Sequence, residues 1–201
     1  LRQLIRNFSL ERGGKTAAVF NPEKLEWMNG VYIREFEALD VVDRVLAYLE
    51  RPAAEGGLPD AIARPIDERY LEAIVPLIHE RLKLLGEAAG LVDFFFVDHL
   101  EYETSALTGK SLDFPSARSG LEAALRSIEP LADWEHTALE TALRPLADEL
   151  GLKPGVYFGL LRVAVTGRNV SPPLFETMAV LGRRRCLDRI SAALAKLGQT
   201  D

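Results

Sequence analysis

Apolar residues return every three or four positions along almost the whole of this chain, and such a chain buries them only by packing helix against helix. The plainest case is the stripe Leu71, Ile74, Val75, Ile78, Leu82 and Leu85, which predicts the longest amphipathic helix, from Asp67 to about Ala89. Helix punctuation elsewhere agrees. Asn21-Pro22-Glu23 joins a capping side chain, a proline where no N–H is needed and an acid near the positive helix end. The helix it opens is expected to continue across Asn29-Gly30. Asp40 is expected to cap a helix reaching about Glu50, and residues 51–66, rich in proline and glycine, read as a loop with room for one helical turn. Further helices are expected over Ser116–Ile128, Trp134–Leu150 and Arg183–Leu197, with Pro145 kinking the second or displacing its start. The front is mixed: a helix over Leu1–Arg12 ending at Gly13-Gly14, then a short strand over Ala17–Phe20. Phe94, Phe95 and Phe96 read as core filler where two bundles meet. The expected class is all-α.

One stretch departs from this uniformity. In Gly151–Arg185, Pro154 opens a helix and Gly167 stops it, then Ser171-Pro172-Pro173 opens a second helix that Gly182 ends. The result is two short helices joined by a polar corner. Arg162 and Arg168 flank the end of the first, and Leu174 and Phe175 follow the prolines at once. Planar cations beside flat or branched apolar groups are the mixture that holds unstacked bases.

Charge supports the same region. The chain carries −6 overall, but residues 151–201 hold eight Lys/Arg against three acids, so the last quarter is positive on an acidic body. That pattern suits a protein that docks one part of an RNA. Other classes find less support. With 201 residues and 48% hydrophobic content the chain can build a packed core, and no run approaches the roughly 20 apolar residues of a membrane span. The start lacks the long apolar stretch of a signal peptide, which points to a cytoplasmic protein without membrane partners. It is also not a methionine, which suggests a piece of something longer.

The single Cys186 excludes an internal disulfide and reads as a small core residue. His79, His99 and His136 form no cluster with metal-ligand spacing. Gly13-Gly14-Lys15-Thr16 imitates the end of a phosphate-binding loop, but Ser9 stands where that loop needs its first glycine. No arrangement suggests a nucleophile or a catalytic carboxylate pair. Arg81 stands out, one residue around from the apolar stripe in LIHERLKLL. It reads either as a solvated arginine paired with a nearby acid or as a fork donating two hydrogen bonds to a base edge.

Three collinear segments carry a resemblance. FSLERGGKTAAVFNPEKLEWMNGVYIREF at 8–36, PLIHERLKLLGEAAGLVDFFF at 76–96 and the Gly151–Arg185 stretch resemble, in order and spacing, the C-terminal, tRNA-reading half of bacterial glutamyl-tRNA synthetases. The catalytic motifs of that family, His-x-Gly-His and Lys-x-Ser-Lys, are missing from this sequence. The resemblance therefore implies a part that activates no glutamate by itself and holds no cofactor, ATP and magnesium belonging to the parent enzyme. It implies a stem-contact remnant at 1–36, a helical bundle at 37–103 and an anticodon-binding domain at 104–201. The implied partner is tRNA(Glu), not DNA, and the implied state is a monomer.

The same resemblance gives Arg81 the place of the arginine that reads the third anticodon base, cytosine in glutamate tRNAs and guanine in glutamine tRNAs. It puts Arg162, Ser171, Pro172, Leu174 and Phe175 around the other anticodon bases and Arg144 near the RNA backbone. Some relatives carry glycine where Pro173 stands. From the residues alone, Ser171 also reads as a helix N-cap, and Leu174 and Phe175 as core. Two alternatives are a helical protein-interaction module that no longer binds RNA, and half of an enzyme accepting both glutamate and glutamine tRNAs.

Overall fold

The computed structural model describes residues 20–198 together with residue 6. The expected strand over Ala17–Phe20 lies outside the described residues except for Phe20, which has no regular structure. The expected Leu1–Arg12 helix is also outside them apart from Arg6, which is helical, as is the Gly13–Thr16 loop motif. No strand occurs among the described residues, and the all-α expectation holds.

Helix α1 (Pro22–Glu35) begins as its punctuation dictates, with Asn21 Oδ1 accepting from the Lys24 N–H at 3.1 Å, and it runs on through Asn29-Gly30. Asp40 does not cap the next helix. It lies inside a 3₁₀ turn (Ala38–Val41) that feeds directly into α2 (Val42–Leu49), and the Val42 N–H finds its acceptor in that turn at Leu39. A further 3₁₀ turn at Ala53–Glu55 is the single helical turn foreseen in the loop that follows.

The long helix expected over Asp67–Ala89 is a shorter one, α3 (Glu68–Ile78), capped by Asp67. Pro76 offers no N–H to the preceding turn, and the chain leaves the α-helix two residues later. It passes through a 3₁₀ turn (His79–Arg81), an extended Leu82, and a second 3₁₀ turn (Leu85–Glu87) before the short α4 (Ala88–Val92). The apolar stripe survives the break, because Leu82 is fully buried and Leu85 packs against the core. Glu87 Oε2 fixes the break by accepting from the Lys83 and Leu84 N–H groups, each at 3.2 Å. Buried His79 bonds the Ile33 carbonyl at 2.9 Å and ties the turn to α1. Phe94 and Phe95 stack at 4.3 Å in the core, and Phe96 meets Tyr70 edge-on at 5.7 Å.

The second half is built around one central helix. After α5 (Ser105–Thr108), α6 (Phe114–Ile128) starts on the Asp113 cap, and α7 (His136–Glu149) runs through Pro145. Trp134 lies before α7 rather than in it, and its indole N–H bonds the Met178 carbonyl at 2.9 Å. Then come α8 (Pro154–Thr166), α9 (Leu174–Leu181) and α10 (Arg183–Gly198). Helix α8 touches α5, α6, α7, α9 and α10, and nearly every residue from Leu160 to Thr166 is buried, with half-buried Arg162 the exception. Its close seat on α6 depends on Gly120, where a β-carbon would stand 3.0 Å from Leu160 Cδ2. Helix α9 also packs on α3, which sets the proline corner beside the His79–Arg81 turn.

Candidate nucleic-acid interface

The corner runs from Gly167, whose φ of +72° ends α8 in a left-handed turn, to the first residue of α9. Pro173 occupies the position before α9, so Ser171 is not its N-cap. The Ser171 hydroxyl instead accepts from Arg162 Nη1 at 2.8 Å and donates to the Pro172 carbonyl at 3.0 Å. Arg162 Nη1 also reaches the Pro172 carbonyl at 2.9 Å.

Arg81 arrives from the other half of the chain. Its Nη1 donates to the Ser171 carbonyl at 2.6 Å, and Arg162 Nη1 lies 3.5 Å from that same oxygen. Two guanidinium groups from residues 81 apart in sequence thus converge on one backbone carbonyl. Neither forms an ion pair with an acid among the described residues. Burial, and then the neighbouring Arg81 charge, hold the Arg162 pKa below its ordinary value. Two close cations without a counterion make a site for acceptor atoms. The other N–H groups of Arg81 make no hydrogen bond within the described residues, so the fork is anchored by one nitrogen and open at the rest.

The remaining sequence candidates surround this point unequally. Ser171, Pro172 and Leu174 are buried, and Phe175 is half-buried. Phe175 meets Phe158 edge-on at 5.4 Å, and Arg144 lies 5.8 Å from the Phe158 ring centre, so Phe158 links the two. Arg144 itself is exposed and paired with Glu140 one turn earlier, with its Nε at 3.0 Å. The structure therefore gathers Arg81, Arg162, Ser171 and Pro172, and places Arg144 across the Phe158 ring from Phe175. Phe158 was not singled out in the sequence, since an aromatic inside an apolar run carries no separate signal.

The positive last quarter is less of a surface than its sequence implies. Arg162, Arg168, Arg183, Arg185, Arg189 and Lys196 all donate to backbone carbonyls. Arg189 is 3% exposed and holds Val165, Phe94 and Val97 carbonyls at 2.6–2.7 Å. Much of this charge therefore joins elements together. Cys186 is buried, and burial pushes its thiol pKa up to about 12, in keeping with a core role. Among the described residues no three His, Cys, Asp or Glu side chains are grouped to hold a metal ion. Nor is any helix there long and apolar enough to cross a membrane.

The sequence pattern of the anticodon binding domain family matches residues 40–194, a span holding every part of this corner. The chain belongs to that family. Over nearly its whole length the chain is similar to glutamate–tRNA ligases. It is 46% identical to that of Dehalococcoides mccartyi strain 195 across 98% of this chain and 40% of the relative. It is 46% identical to that of Roseiflexus castenholzii across 97% of this chain and 38% of the relative. The crystal structure of a glutamate tRNA ligase from Elizabethkingia meningosepticum shares the fold, with a TM-score of 0.77 at 20% identity over 98% of this chain and 36% of that one. The chain thus spans about two fifths of the length of the relatives it matches.

Proposed function

We propose that this chain reads the anticodon of tRNA(Glu) for an enzyme that joins glutamate to that tRNA. In this reading residues 1–36 contact the RNA stem, 37–103 form the bundle that carries Arg81, and 104–201 supply the corner. The observation that carries it is the convergence of Arg81 and Arg162 on the Ser171 carbonyl. The anticodon loop lies against the corner from Arg162 to Phe175, and Arg144 contacts the RNA backbone.

The family resemblance supplies the base, and hydrogen-bond chemistry agrees with it. A guanidinium donates to the O2 and N3 acceptors on the pairing edge of cytosine, whereas guanine presents donors there, so the wrong base sets donor against donor. One such contact discriminates by about 1–3 kcal/mol, ten- to hundredfold. Anticodon bases are unpaired and splayed, which lets edge contacts and stacking select sequence. ATP and magnesium serve the activation of glutamate in the complete enzyme, which we place in the cytoplasm and regard as a monomer.

The test is a titration of the chain with anticodon stem-loop RNAs carrying cytosine or guanine at the third anticodon position. The expected result is a preference for cytosine that Arg81→Gln reduces to near equality. A preference untouched by Arg81→Gln refutes the assignment of the third base to Arg81. Equal binding of unrelated hairpins points to a scaffold that does not read RNA.

A further inference from the structure

Arg168 stands three residues before Ser171, yet its guanidinium reaches the other half of the chain. Its Nη2 donates to Asp93 Oδ1 at 2.5 Å and Oδ2 at 2.6 Å, and its Nη1 donates to the Gly90 carbonyl. Its charge also lies 5.6 Å from the Phe94 ring centre. Asp93 is itself held, because Oδ1 accepts from the Phe94 N–H at 2.7 Å. The two side chains keep only 34% and 29% of their surface exposed. A half-buried pair with both carboxylate oxygens engaged is geometrically defined in a way that a solvated surface pair is not.

Its location gives it meaning. Asp93 follows α4, and the short segment before it leads back through the Leu85–Glu87 turn to Arg81. Gly90, whose carbonyl Arg168 grips, shares the wall of one open cavity of about 550 Å³ with Arg81, Lys83 and Glu87. Arg168 therefore clamps the corner to the wall beside Arg81. On the Gly167 side of the packing of α9 on α3, the hydrogen bond from Arg81 to the Ser171 carbonyl is a single polar contact. A second anchor near it fixes the distance.

The clamp is separable from the fold. Arg185 holds the Phe95 carbonyl at 2.8 Å, and Arg189 holds those of Phe94 and Val97, all from α10 and away from the corner. Residues 94–97 keep these contacts without the Asp93–Arg168 pair, so its loss should be felt chiefly at the corner.

We infer that Asp93 and Arg168 form a positioning pair for base selection, which holds Ser171 where the Arg81 fork, beside Arg162, faces the third anticodon base. The role assigned to both residues is to position the corner, since the Arg168 guanidinium is spent on Asp93 and Gly90. The inference rests on the anticodon reading above and adds to it the device that makes the reading selective.

The test compares the unaltered chain with Asp93→Asn, Arg168→Met and the double variant. Asp93→Asn keeps the size of the side chain and its acceptor for the Phe94 N–H, and thermal unfolding verifies that each variant is folded. Each is titrated with the cytosine and guanine stem-loops. We expect the roughly ten- to hundredfold cytosine preference to fall below about threefold in each single variant, mainly through weaker cytosine binding. The double variant should lose no more than either single one, since partners in one contact are not additive. Equal weakening of both RNAs, or losses that add, overturns the inference.

A second readout needs no RNA. In the unaltered chain the Nη protons of Arg81 should give separate magnetic resonance signals, because the Ser171 carbonyl holds one of them. In Asp93→Asn they should merge as the guanidinium turns freely. If the unaltered chain shows no third-base preference, the anticodon reading fails and these signals decide the inference alone. Merged signals then sustain the positioning of Arg81 by the pair without its role in base selection, and unchanged signals overturn both.

Discussion

Replacing Arg162 by methionine removes the guanidinium while keeping an unbranched apolar stem against the buried face of α8. Two well-made hydrogen bonds disappear, to Ser171 Oγ at 2.8 Å and to the Pro172 carbonyl at 2.9 Å. Bonds from a charged donor are worth about 1.5–3 kcal/mol each, which by itself allows a severe loss. The acceptors, however, are not orphaned. The Pro172 carbonyl still accepts from the Ser171 hydroxyl at 3.0 Å, and the Ser171 carbonyl still accepts from Arg81 at 2.6 Å. The substitution also removes a half-buried cation whose burial, and then the neighbouring Arg81 charge, hold its pKa below the ordinary value. The net cost to stability should be only about 1–2 kcal/mol, or roughly 2–8 °C in Tm for a chain of this size. RNA binding should suffer more in proportion, by at least about tenfold (~1.4 kcal/mol), because no other side chain replaces the lost donor toward the ligand. Calorimetric unfolding and stem-loop titration at one salt concentration measure both. A stability loss above about 4 kcal/mol with unchanged RNA affinity in the folded fraction would refute the reasoning, since Arg162 would then serve the fold alone.

Three further outcomes follow from the same coordinates. The Tyr157 hydroxyl is buried without a partner among the described residues, and burial raises its pKa, so Tyr157→Phe should leave stability unchanged or raise it by up to about 1 kcal/mol in chemical denaturation. Gly120→Ala places a methyl group 3.0 Å from Leu160 Cδ2 and should cost about 1–3 kcal/mol, read as a lower denaturation midpoint with an unchanged slope. Cys186 should react with thiol reagents only at the rate of unfolding near pH 8. Its folded pKa of about 12 exceeds the roughly 8.5 of an unfolded thiol, so its contribution to stability is complete below pH ~8.5 and is lost as pH rises toward 12.

Features governed by neighbouring residues were legible in the sequence. Asn21-Pro22 opens α1, Asp67 caps α3, and Gly167 and Gly182 close α8 and α9 where their local chemistry requires. Pro76 was equally visible but was outweighed by the apolar stripe from Leu71 to Leu85. The stripe persists across the break because a 3₁₀ turn keeps Leu82 on the same side. That lapse matters for the site, since it moves Arg81 from the middle of a helix to the end of a turn. The meeting of Arg81 with Ser171 spans 90 residues, and nothing local announces it. The resemblance named both residues, and the fold brings them together. The pairing of Asp93 with Arg168, 75 residues apart, was hidden for the same reason: Arg168 reads as a cation of the corner and Asp93 as a charge bounding the Phe94–Phe96 run. Charge counting erred in the opposite direction: it read the arginines after residue 151 as a surface, whereas Arg189 is 3% exposed and caps three carbonyls inside the molecule.

The central claim is that RNA meets the surface where Arg81 and Arg162 share the Ser171 carbonyl. Hydrogen–deuterium exchange of the chain with and without tRNA(Glu) tests it most directly. The account predicts slowed exchange in two separated stretches, around residues 81–91 and 167–176, with little change elsewhere. Protection confined to the cavity lined by His99, Arg184 and Lys196, with residues 81–91 and 167–176 unaffected, would contradict it.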